Sequence, residues 1–115
     1  MKHKEPKTIG LTLATKPNLA RLVEDGYFNE QLDAYKFAVA LALKTGRLAD
    51  PGGFTTIFNI GTIDLDREIY ESVKILREYD EEPVYKTVER LAEWGVNELF
   101  QVSESGDIDF SKWLK

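Results

Sequence analysis

The residues of this chain that could do chemistry are few, and none is arranged as a catalytic centre. There is no cysteine and only one histidine, His3, which excludes disulfides, thiol nucleophiles and histidine-pair catalysis. Two aspartate pairs, Asp64/Asp66 and Asp107/Asp109, could hold a hard cation, but they lack the ligand count and the glycine of a calcium loop. We interpret Asp64 as a helix cap. We therefore expect no catalytic residue, no metal site and no cofactor, and we do not expect an enzyme.

The remaining candidate functional groups are the cationic side chains of Lys and Arg, which are distributed unevenly along the chain. Residues 1–47 carry eight Lys and Arg against five Asp and Glu, whereas residues 48–115 carry seven against fifteen. This asymmetry fits nucleic-acid contact on one side, head-to-tail self-association, or an ordinary solvated surface. Phosphate contact requires cations and not particular bases. The candidate phosphate contacts are Lys7, Lys16, Lys36 and Lys44, of which the first two flank a predicted strand.

That strand, predicted from Thr8 to Ala14, alternates polar and apolar residues with the period of an extended chain. In an antiparallel ribbon formed with a second copy, its polar face would point outward, and such a ribbon fits the major groove. Threonine is a weak reader of bases, so the alternative is a strand that only holds a dimer together. The predicted inward face is Ile9, Leu11 and Leu13, and the outward face is Thr8, Gly10 and Thr12.

Two helices are predicted directly after the strand, over 18–25 and 30–45. Pro17 suits the first turn of the shorter helix, and Gly26 and Gly46 suit the ends of the two helices. The longer helix is apolar on all sides, which indicates burial on more than one side. In so short a chain we expect a second subunit to supply the cover. The predicted oligomer interface is Ile9, Leu11, Leu13, Phe37 and Leu41.

The second half of the chain reads as more helix. The segment 54–60 is either a short strand or an extended packing segment, and a third helix is predicted from Asp64 to about Tyr79. A fourth helix opens at Glu81-Glu82-Pro83, and its Gly95 allows close approach of another helix. The apolar residues Ile108, Phe110, Trp113 and Leu114 predict that the tail docks on the body. The expected single domain, 1–115, comprises a mobile basic arm (1–7), a strand-helix-helix unit (8–46), a connection (47–63), a helical pair (64–102) and the tail (103–115).

The composition is that of a globular chain, with 43% hydrophobic and 30% charged residues. The apolar run Phe37 to Leu43 is too short to span a bilayer. The basic first seven residues are not followed by an apolar segment, so they do not resemble a signal peptide. We expect a cytoplasmic protein without a membrane partner.

The order strand, short helix, longer helix is that of a ribbon-helix-helix unit, so the predicted fold is mainly α with a short N-terminal β-strand. Over residues 8 to about 100 the chain resembles the small DndE-type proteins of bacterial DNA phosphorothioation systems. The resemblance lies in the Ile9-to-Leu13 strand, the Leu19–Val23 helix, the Tyr35-to-Leu43 helix, Phe58-Asn59, and two further helices with a Gly95-centred end. It implies an oligomer that binds DNA through lysines and favours nicked duplex.

Two hypotheses of function remain open. The first is a small DNA-associated accessory or regulatory protein that binds duplex phosphates as an oligomer. The second is a protein-interaction module whose acidic C-terminal helices bind a larger protein of the same pathway or a toxin. An enzyme ranks third, because only carboxylate chemistry would remain and nothing pairs the carboxylates convincingly.

Overall fold

The computed structural model describes residues 4–77 and 82–113, the last two without their side chains, and shows a mainly helical fold with one small sheet. Within the described residues, no helix is both long enough and apolar enough to cross a membrane. The two strands are β1 (Thr8–Thr12) and β2 (Phe54–Asn59). The five helices are α1 (Lys16–Glu24), α2 (Gln31–Thr45), α3 (Ile60–Ile63), α4 (Glu68–Leu76) and α5 (Val84–Ser105), and a short 3₁₀ helix spans Phe110–Trp113.

The sheet is an antiparallel ribbon made by β1 and β2 of the same chain. Thr8 lies opposite Asn59, and the register shifts by one residue between Ile9 and Gly10, which is a β-bulge. Gly10 is required at this bulge, because a Cβ there would lie 1.6 Å from the carbonyl oxygen of Thr55. The strand alternative for segment 54–60 is therefore confirmed, and β2 completes the ribbon without a second copy.

The other edge of β1 lies along α5 and is occupied by two glutamates. The backbone N–H of Gly10 donates to Glu89 Oε2 at 3.0 Å, and that of Thr12 donates to Glu93 Oε1 at 3.1 Å. A strand from a second copy would need these same N–H groups. The expected pairing of this strand between two copies is wrong for this structure, because β2 takes one edge of β1 and α5 takes the other.

Helix α2 is covered on several sides, as its sequence predicts, but the cover comes from the chain itself. The packing of α2 on α5 is close, since a Cβ at Gly95 would lie 2.2 Å from the carbonyl oxygen of Ala38. The predicted close approach at Gly95 is confirmed. No partner subunit is needed to bury α2, because α5 runs for 22 residues beside it and beside β1.

The residues of the predicted oligomer interface therefore have other roles. Ile9, Leu11 and Leu41 are buried in the core of the chain. The Phe37 ring packs against Phe110, with ring centroids 5.3 Å apart, so the tail docks through Phe110 as predicted. Leu13 follows the end of β1 and is 71% exposed, so it does not continue the buried face of Ile9 and Leu11, and its place in an interface stays a prediction. The side chain of Trp113 and all of Leu114 lie outside the described residues.

Carboxylates bind the backbone N–H groups at the starts of α5 and α4. Glu5, in the predicted mobile arm, accepts hydrogen bonds from the backbone N–H groups of Val84 and Tyr85 at 2.8 and 2.9 Å, which anchors the arm to the start of α5. Asp64 caps α4 by accepting from Ile69 N and Tyr70 N, both at 2.9 Å. The helix predicted from Asp64 begins at Glu68 as α4, and the short helix α3 before Asp64 was not predicted. The predicted end at Tyr79 and the predicted opening residue Glu81 lie outside the described residues.

Candidate nucleic-acid interface

The outer face of the ribbon carries uncharged polar side chains. Thr8 and Asn59 are directly opposite each other across the strands, so their side chains share a face, and the Thr8 hydroxyl lies 3.0 Å from the Thr56 hydroxyl. Thr56 and Asn59 are exposed and Thr8 is half-buried. We call Thr8, Thr56 and Asn59 the ribbon face. It offers two hydroxyls and one carboxamide, all of which donate and accept hydrogen bonds.

A lysine lies at each end of this face. Lys7 immediately precedes β1, is exposed, and its backbone carbonyl accepts from Ile60 N at 2.9 Å, so the ribbon pairing extends to it. Lys16 begins α1, and its Nζ lies 3.2 Å from the carbonyl oxygen of Thr56 in β2. The two cations chosen from the sequence for flanking the strand do flank the ribbon. Neither β1 nor β2 contains an acidic residue.

The other two candidate cations lie on α2. Lys36 is exposed and lines a shallow cavity that also contains Asp66 and Glu68, so acids surround its charge. Lys44 is in the last turn of α2, two helical turns beyond Lys36. The structure therefore distinguishes Lys7 and Lys16, which flank the ribbon, from Lys36 and Lys44, which do not belong to the ribbon.

Two of the three residues predicted to face outward belong instead to a buried polar network. Gly10 is buried with its N–H on Glu89, as described above. Thr12 is half-buried, and its hydroxyl donates to Glu93 Oε2 at 2.8 Å. The Thr15 hydroxyl donates to the same oxygen at 2.6 Å. Although Thr15 immediately precedes α1, its side chain therefore does not cap that helix. Of the predicted outward face, only Thr8 lies outside this network.

The two carboxylates of this network, Glu89 and Glu93, are buried. Burial raises the pKa of Glu89, and this rise is opposed by Lys86, whose Nζ lies 3.3 Å from Glu89 Oε1, and by the hydrogen bond from Gly10. Tyr35 donates its hydroxyl to the carbonyl of Gly10 at 2.9 Å. Burial, and then the charges of Glu89 and Glu93, raise the pKa of Tyr35 well above its usual range. The phenol remains a neutral donor, and the network fixes the ribbon in place.

One member of each aspartate pair considered for a cation accepts hydrogen bonds from nearby groups instead. Asp64 accepts from Tyr85 Oη at 2.7 Å in addition to its two backbone donors in α4. Burial, and then this hydrogen bond, raise the pKa of Tyr85. Asp109 accepts from Ser111 N and Oγ at 3.1 and 2.5 Å. Among the residues that the structure describes, no three potential His, Cys, Asp or Glu ligands converge on one point.

Glu89 and Glu93 were not identified from the sequence as important. Their spacing of four residues places both on one side of α5, beside its buried stripe, and this spacing was the available signal. Because glutamate is rarely buried unless it is paired, the sequence alone predicts that both side chains are exposed to solvent. Comparison with protein-family models, curated proteins and solved structures gave no match.

Proposed function

We propose that this chain is a small DNA-associated accessory or regulatory protein that contacts duplex phosphates with its ribbon. The observation that carries the proposal is the ribbon face of Thr8, Thr56 and Asn59, uncharged and exposed or half-buried, with Lys7 and Lys16 at its two ends. This is a variant of the ribbon-helix-helix idea in which both strands come from one chain.

The ribbon has the properties that such a contact requires. Two antiparallel strands are narrow enough for the major groove, where exposed hydroxyls and carboxamides meet base edges. The absence of acidic residues from β1 and β2 removes direct repulsion of the phosphates. Lys16 now donates to a backbone carbonyl of β2, and its flexible stem can turn the ammonium toward a phosphate at small cost.

Affinity should be modest and mainly electrostatic. Two lysine contacts release few counterions, so the dependence of log K on log salt should have a slope of about −2 for one chain. Asn59 is the one side chain on the ribbon face of a type that reads adenine bidentately, and threonine adds little discrimination. We expect affinity in the range of about 10⁻⁴–10⁻⁶ M, with little dependence on DNA sequence.

The test is fluorescence anisotropy with a labelled duplex, intact and nicked, at two salt concentrations. The nicked duplex is included because the resemblance to the DndE family implies that preference. We expect the double variant Lys7→Glu/Lys16→Glu to lose binding while its circular dichroism spectrum and melting temperature stay close to wild type. Both side chains lie outside the core, so folding should be unaffected.

A matched control separates local contact from total charge. Lys36→Glu/Lys44→Glu changes the net charge by the same amount but lies on α2, away from the strands of the ribbon. We expect this control to bind within about threefold of wild type. Equal loss in both double variants would mean attraction by net charge alone. If the wild-type protein binds neither duplex at low salt, the proposal is wrong, and the interaction-module hypothesis becomes the better account.

A further inference from the structure

The surface around α4 exposes large apolar side chains. Ile75 and Leu76 are 75% and 63% exposed, and Leu48, beyond the end of α2, is 36% exposed. Leu48 and Leu76 border one groove of about 370 Å³ between the C-terminal end of α2, α4 and the first half of α5.

Two exposed charges of α4 stand at equal distances from its middle. Glu71 lies in the first half and Lys74 in the second, each the same distance from a midpoint between residues 72 and 73. Glu71 and Lys74 are both exposed. When two such helices lie antiparallel across a two-fold axis at that midpoint, Glu71 of each copy meets Lys74 of the other.

We propose that α4 lies antiparallel against α4 of a second copy, so that the chain dimerises through this surface and not through its strand. Glu71 of one copy would pair with Lys74 of the partner subunit, and the reverse pair would form by symmetry. Ile75 and Leu76 would lose water at the contact, together with the rim of the groove. The proposal is independent of DNA binding, because the ribbon face shares no residue with α4.

The charge pattern favours a second copy over an unrelated partner. A different protein would need only a surface of one sign, whereas a two-fold contact requires an acid and a base at equal distances from the axis. The small Ser72 at the midpoint is exposed and allows the two helices to approach closely. The predicted strand interface is not an alternative, since both edges of β1 are occupied.

The test is sedimentation equilibrium of the full chain over a range of concentrations, without DNA. We expect wild type to dimerise and Glu71→Lys or Lys74→Glu alone to raise the dissociation constant by about tenfold, since each creates two like-charge contacts per dimer. The double variant Glu71→Lys/Lys74→Glu should return to within about threefold of wild type, because the swap restores both pairs.

The double variant also excludes an effect on helix stability. It places a lysine in the first half of α4 and a glutamate in the second, against the helix dipole, so a helix effect would make it the weakest of the three. Ile75→Ala should weaken dimerisation, and Leu13→Ala, at a similarly exposed position outside α4, should not. A wild type that remains monomeric up to about 0.5 mM, or a double variant weaker than both single variants, would overturn the proposal, even if another protein binds α4.

Discussion

The close contact between α2 and α5 predicts an unusual response to a mild substitution, Gly95→Ala. A Cβ at position 95 would lie 2.2 Å from the oxygen, 2.7 Å from the carbonyl carbon and 2.8 Å from the Cα of Ala38. All three atoms belong to the backbone of α2, so no side chain can rotate away. Reaching an ordinary contact of about 3.4 Å requires the two helices to separate by about 1 Å at this point.

Two opposing effects set the magnitude. Alanine is favoured over glycine inside a helix by about 1 kcal/mol, which would stabilise α5. Forcing apart two helices that carry much of the core costs about 2–3 kcal/mol, near the top of the usual range because the clashing atoms are backbone, and it also loosens the neighbours of Gly95, such as the fully buried Ala92 and Val96. We expect the second effect to win, with a net loss of about 1–2 kcal/mol and a fall in melting temperature of about 5 °C or more.

The same substitution at Gly61 is the control. Gly61 lies in α3, and a Cβ there meets nothing within 4 Å. Gly61→Ala should therefore be neutral or stabilise by about 0.5–1 kcal/mol through the unfolded state. Thermal and urea unfolding of both variants would measure the difference. If Gly95→Ala proves as stable as wild type, the close approach of α2 and α5 described above is wrong.

Four further outcomes are expected. Gly46 ends α2 at φ 71°, so Gly46→Val should cost about 1 kcal/mol or more in thermal melts and Gly46→Asn should cost less. Leu11→Asp buries an unpaired charge in the core and should abolish the folded far-ultraviolet circular dichroism spectrum. Glu93→Ala leaves the Thr12 N–H without its acceptor and leaves the Thr12 and Thr15 hydroxyls only their longer contacts at 3.2 Å, so it should cost about 2 kcal/mol by urea unfolding, with Glu93→Gln intermediate because it keeps one acceptor oxygen. The pKa of Glu89 is raised in the folded state, so its ionisation opposes folding as pH rises above 4.5. In denaturant titrations, Glu89→Gln should therefore gain stability relative to wild type between pH 4.5 and 7. No relative gain would contradict the raised pKa of Glu89.

Local patterns were sufficient to predict the first half of the chain. Each signal there acts only on the residues next to it: the alternation after Thr8, the proline at position 17, and the glycines at 26 and 46. The structure has β1, α1 and α2 within one or two residues of the predicted bounds. Gly26 and Gly46 both have the positive φ that a helix end of this kind requires.

The partner of β1 could not be predicted from such patterns. A half-buried strand has the same alternation whether it pairs with a second copy or with residues 54–59 of its own chain. The choice is made by contacts between residues about 80 positions apart, such as Thr12 with Glu93. The apolar surface of α2 was equally ambiguous, because a helix needs cover on every side but its sequence does not say which chain supplies it.

The glutamates of α5 explain why the fold and the proposed functions use separate surfaces. A free edge on β1 could form backbone hydrogen bonds with a strand of another molecule, and proteins commonly protect such an edge. Here Glu89 and Glu93 occupy it with acceptors that cannot continue a sheet, so the ribbon ends at β1 and its outer face stays accessible. The self-association that we propose uses another part of the surface, the exposed apolar residues of α4. Because the DNA contact we propose depends on Lys7 and Lys16 and the dimer on Glu71 and Lys74, a variant of either pair should leave the other activity in place.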